Sequence, residues 1–139
     1  MSGEYVKLLV HRSLVFFEEG MRLAEIGEHD IALFMLEQSV QLASKAALYK
    51  LFGELPRTHN LRQLLGLLTR RLKEIGKVEG KRLEDLAIKY RDKLVILEDA
   101  YTGSRYGYMM VGEQEVSDCL KAVKELLSFI RKVIEAEPG

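Results

Sequence analysis

Few side chains in this sequence are of the kinds that do chemistry, and most of them are poorly placed for it. His11, His29 and His59 stand far apart, with no His-x-x-x-His or Glu-x-x-His pair. Those are the spacings that put two metal ligands on one helical face. Glu25 and His29 are one helical turn apart, but Gly27 interrupts the turn, so no metal site is expected. The lone cysteine, Cys119, cannot form an intrachain disulfide and falls on an apolar stripe, where a free thiol packs as a small hydrophobe. The stretch YTGSRYGYMMVG, residues 101–112, is different, with three tyrosines, one arginine and three glycines. Arg105 offers a planar fork of donors to a phosphate. Tyr106 and Tyr108 offer rings on which a base could stack, worth ~1–3 kcal/mol. The competing expectation is packing, with Tyr101 and Tyr106 plugging the end of a helical bundle while Arg105 ties the loop to an acid. The glycines form no Walker-type loop and no Asp-x-Asp follows them. The chain therefore lacks a nucleotidyltransferase's paired aspartates for magnesium.

A second group lies on one helical sector. Phe34, Gln38, Gln41, Lys45 and Phe52 fall within ~60° of one another at 100° per residue. Amides and an ammonium flanked by aromatics can read a base and a phosphate. They can equally form a hydrogen-bonded seam between two copies of the chain, or a solvated stripe with Glu37 and Ser44.

The elements that must position these groups read as helices throughout. Segments 4–26, 31–52, 60–75, 81–101 and 113–136 carry apolar residues at helical spacing. Gly27, Gly53, Gly76 and Gly103 sit where helices end on left-handed glycines. Asp30 is placed as an N-cap, Pro56 forbids continuation of the second helix, and Gly80 marks a short turn. The second segment is apolar around most of its circumference, so it is either central to a bundle or buried against a second subunit. Short links between long helices favour antiparallel neighbours. The expected fold class is all-α, an antiparallel up-down four- or five-helix bundle, with residues 1–139 as one domain.

Composition narrows the functional classes. The chain has 139 residues, 47% hydrophobic and 30% charged, with 21 Lys/Arg against 21 Asp/Glu. No whole-chain basic field points to nucleic acid. Residues 57–93 are an exception, with eleven Lys/Arg against five Asp/Glu. That region is either a solvated helical hairpin or a surface attracting a polyanion or an acidic partner. The N-terminus lacks the build of a signal peptide and no apolar run approaches the ~18 residues of a membrane span. A reducing, cytoplasmic location is expected.

Phe34 to Leu65, FMLEQSVQLASKAALYKLFGELPRTHNLRQLL, resembles the middle of HEPN (higher eukaryotes and prokaryotes nucleotide-binding) domains. The matching positions are Phe34, Gln38, Lys45, Ala46, Gly53, Thr58 and His59. FFEEGMRLAEIGEHDIALF is similar to the first helix and turn of that family. Tyr101, Ser104, Arg105 and Tyr106 match its aromatic-x-x-Ser-Arg-Tyr segment. The resemblance implies a helical bundle, usually a homodimer, often working beside a separately encoded minimal nucleotidyltransferase, sometimes as a toxin inhibited by that partner. A large branch are metal-independent ribonucleases bearing Arg-x4-6-His near the C-terminal helices. This sequence departs from that branch, because its last histidine is His59. Arg22 and His29 meet the spacing only at the first turn, where the family does not place it. Gln41 stands where the family often has glutamate.

The resulting expectation is a non-catalytic nucleotide-binding or partner-binding module without cofactor or metal. Its ligand candidates are Arg105, Tyr106, Tyr108, Lys45, Gln38 and His59. A homodimer is expected, with the apolar excess of the second helix at or beside the contact. The partner implied by the resemblance is a minimal nucleotidyltransferase in a two-component or toxin–antitoxin pair. A metal-independent ribonuclease toxin and a structural dimeric scaffold are the alternatives, RNA being the less supported ligand.

Overall fold

The computed structural model describes residues 3–106 and 111–136, and the side chains among them except those of residues 104–106. The described residues form six helices and no strand. They are α1 Gly3–Glu25, α2 His29–Phe52, α3 Leu61–Glu74, α4 Glu79–Lys89, α5 Arg91–Tyr106 and α6 Glu113–Ala136. All six contribute to one apolar core.

The second helix is the axis of this bundle and packs against α1, α3, α5 and α6. Leu33, Leu36, Val40, Ala46, Ala47 and Leu48 are wholly buried. Much of the apolar circumference of α2 is therefore covered within one chain, although Ile31 is exposed and Met35, Leu42 and Leu51 are only partly buried. Packing against α1 is close. A Cβ on Gly20 would lie 2.9 Å from the Leu36 side chain, and Ser13 Oγ donates to the Ser39 carbonyl at 2.7 Å. Small residues let the two backbones approach. Lys50 reaches from α2 to donate to the Ile134 carbonyl at 2.9 Å, placing a cation where the α6 dipole is negative.

Several boundaries differ from the sequence reading. The segment expected over 81–101 is two helices, broken at Tyr90, whose φ of −106° and ψ of 19° leave the helical basin. No glycine or proline marks this break. It transfers the chain from α4, packed chiefly on α3, to α5, packed chiefly on α2. Gly27, Gly53 and Gly76 do end helices at positive φ, whereas Gly103 does not. Gly103 lies inside α5, which runs on to Tyr106, so half of the segment expected as a glycine-hinged loop is helix. One glycine costs a helix interior only ~1 kcal/mol, which the docking of α5 on α2 outweighs. Gly80 is no turn but a buried residue in the first turn of α4. A Cβ there would meet the Lys73 backbone nitrogen at 2.9 Å, so glycine sets the approach of α4 to α3. Asp30 lies within α2, where its Oδ1 accepts from the Ile31 N–H at 2.9 Å, and Glu28 occupies the cap position.

Candidate functional site

Beside α2, the α2–α3 link and α5 enclose a polar cluster in an otherwise apolar region. Glu37, Gln41 and Ser44 of the expected stripe are buried, and Gln38 and Lys45 are half-buried. The stripe is not solvated. The Glu37 carboxylate accepts from Gln38 Nε2 at 2.8 Å and from Gln41 Nε2 at 2.5 Å. Burial, only partly offset by these amides and by Lys45, pushes its pKa up to about 7, and nearby Glu98 adds to the rise. Both carboxylate oxygens are engaged by amides, so Glu37 orients Gln41 rather than meeting a ligand.

With its amide nitrogen committed to Glu37, Gln41 turns Oε1 toward Lys45 and His59. The Lys45 ammonium donates to Gln41 Oε1 at 3.5 Å and to His59 Nδ1 at 3.2 Å. In the Nε2–H tautomer His59 Nδ1 accepts this bond. Gln41 Oε1 is 3.3 Å from the same Nδ1, to which the Nδ1–H tautomer donates instead. Desolvation lowers the pKa of Lys45, and Glu37 opposes the shift.

His59 is held by its neighbours. Asn60 caps α3, accepting from the Gln63 N–H at 2.9 Å, and its own N–H donates to Thr58 Oγ1 at 3.2 Å. Asn60 Nδ2 also donates to Glu98 of α5 at 2.9 Å. Arg62 closes the arrangement with a forked pair, Nε and Nη2 donating to the two Glu98 oxygens at 2.8 and 2.9 Å. The link is thus stapled to α5 at both Asn60 and Arg62. The Tyr101 ring lies near-parallel to Phe34, with centroids 6.1 Å apart at 9°. It meets the His59 ring at the same centroid distance and 28°. His59 itself is exposed.

Three of the six sequence-predicted ligand residues, Gln38, Lys45 and His59, are therefore gathered here. Tyr108 and the side chains of Arg105 and Tyr106 lie outside the described residues. The α5 backbone carries residue 105 one turn past Tyr101. Phe52, placed in the same sector, is half-buried in the core. Arg22 and His29 form no unit. Arg22 pairs with Glu19, and His29 Nδ1 lies 3.2 Å from the Val111 carbonyl. Among the described residues no group of three His, Cys, Asp or Glu side chains could hold a metal ion. Cys119 is buried, and burial pushes its thiol up to about 12, the state of a packing residue. Glu98 and Arg62 are the residues the sequence reading missed. The available signal was Glu98 itself, a carboxylate one turn from both Leu94 and Tyr101 on an apolar seam.

Phe34, Lys45, His59 and Tyr101, positions on which the resemblance was read, meet in this cluster although up to 67 residues separate them in sequence. The model of the HEPN domain matches residues 6–133, a span that includes part or all of every helix. The chain belongs to the HEPN domain family. No curated protein matches it. In this HEPN domain no helix among the described residues is long and apolar enough to cross a membrane.

Proposed function

We propose that this HEPN domain is a non-catalytic nucleotide-binding module whose site is the Lys45–His59–Tyr101 cluster. The observation that carries the reading is that convergence. A cation, an exposed imidazole and a stack of rings share one rim, above a buried carboxylate that fixes the polar groups. A base extending the Tyr101–His59 stack would leave Lys45 beside its phosphates. Arg105, one turn beyond Tyr101, and Tyr106 and Tyr108 after it belong to the same proposal. The module works in the cytoplasm as an antiparallel up-down bundle and a homodimer. Its partner is a separately encoded minimal nucleotidyltransferase, in a two-component or toxin–antitoxin pair. Family membership supports this part of the reading.

Titration calorimetry with ATP and with other nucleotides tests it. Saturable heat is expected, weakened about tenfold by Lys45→Ala, the loss of one charge-assisted contact. No heat with any nucleotide sinks the ligand reading.

One observation favours a second reading. His59 is an exposed imidazole beside Lys45, the kind of group a metal-independent ribonuclease uses for proton transfer. Labelled RNA incubated in EDTA separates the two. Cleavage abolished by His59→Ala would establish the enzyme, whereas intact RNA keeps the binding module.

A further inference from the structure

A second site lies on the α3–α4 hairpin. A cleft of about 450 Å³ opens there, lined by Arg62, Arg70, Lys73 and Arg91 against one acid, Glu84. Two of the cations are occupied. Arg62 holds Glu98 at 2.8 Å, and Lys73 holds Glu84 at 2.8 Å. Arg70 and Arg91 have no carboxylate partner among the described residues, and both are exposed. Gly66, Thr69, Ala87 and Ile88 complete the lining, so its apolar side chains are Ala87 and Ile88. Ile88 is 68% exposed, more than any other large apolar side chain among the described residues. An apolar residue left open to water in a cleft that two unpaired guanidinium groups also line suits an occupant that carries both apolar and anionic side chains.

The lining selects between anions. Single-stranded nucleic acid bound in a cationic groove is held in part by rings on which its bases stack. No aromatic side chain lines this cleft. Aliphatic side chains match Ala87 and Ile88, and carboxylates match the planar forks of Arg70 and Arg91. We infer that the α3–α4 cleft docks an acidic, amphipathic segment of a partner protein, its apolar side chains on Ala87 and Ile88 and its carboxylates on Arg70 and Arg91. The excess of positive charge over residues 57–93 steers such a segment toward the hairpin. This inference does not depend on the Lys45 cluster binding anything.

Fluorescence anisotropy on the intact protein tests it with three labelled probes. One is a helical peptide with leucines at i, i+4 and i+7 flanked by glutamates. The second has each leucine replaced by serine, and the third is a single-stranded RNA of equal length. The leucine peptide should bind saturably and lose affinity as salt rises. Arg70→Glu combined with Arg91→Glu should weaken it at least about tenfold, and Ile88→Ser several-fold. All three substitutions are at exposed positions, so the thermal melt should not change. The inference is overturned if the leucine peptide fails to bind or ignores the charge reversal. It is equally overturned if the serine peptide or the RNA binds as tightly as the leucine peptide.

Discussion

At the scale of single residues, Glu37 is the least ordinary group in the protein. A carboxylate buried in a helical core is tolerated when its oxygens are paired, and the Gln38 and Gln41 amides pair them. The pairing does not repay the whole cost of burial, so the group titrates at about 7 instead of its ordinary 4.5, equivalent to ~3 kcal/mol. The sign follows from which state keeps the proton. Between pH 4.5 and 7 the folded protein retains a proton that the unfolded chain has released. Stability is therefore greatest below this window and declines as pH rises through it. Glu37→Gln removes that titration. Melts at pH 5 and pH 8 should show the native protein losing ~3 kcal/mol relative to the variant between the two. Parallel curves would contradict the burial argument. The sequence placed Glu37 on a polar stripe correctly, but period alone cannot tell a stripe facing water from one facing Glu98 and Tyr101 across a helix interface. That distinction needs α5 in place.

At the scale of elements, local chemistry was a good guide where termination depends on one residue and a poor one where it depends on packing. Gly27, Gly53 and Gly76 adopt the left-handed conformation that ends a helix, and Asn60, expected as the first residue of the third helix, is its N-cap. The break at Tyr90 carries no such signature, since Ile-Lys-Tyr-Arg-Asp contains neither glycine nor proline. It arises because α4 follows α3 while α5 follows α2. Gly103 failed in the opposite sense, a breaker type carried inside a helix that tertiary contacts hold together. Two substitutions separate these cases. Gly103→Ala has nothing within 4 Å of the added Cβ and no positive φ, so it should stabilise by ~0.5–1 kcal/mol. Gly76→Ala has the same open space but a φ of +74°, so it should destabilise by ~1–2 kcal/mol. Denaturant midpoints measure both, and a stabilising Gly76→Ala with a destabilising Gly103→Ala would reverse the assignment of the two glycines.

At the scale of the whole molecule, the all-helical class and the family were legible in the sequence because helical period and motif order both survive without tertiary knowledge. The role of α2 was only half legible. Its near-continuous apolar character announced burial on several sides, but the sequence could not say whether neighbours in the same chain sufficed. The neighbours α1, α3, α5 and α6 bury most of it. A folded single chain should therefore exist. Dilution into the nanomolar range should leave the helical circular dichroism signal intact, whereas an obligate dimer would lose it.

The same gathering of helices brings Lys45, His59 and Tyr101 to one rim, and the proposed function stands on that rim being where a nucleotide sits. The chain has three histidines, and only His59 belongs to the cluster. Imidazole resonances followed by NMR during an ATP titration therefore report on the site directly. The His59 signals should move saturably while those of His11 on α1 stay in place. A His59 signal indifferent to saturating ATP, or equal movement of all three, would contradict the account.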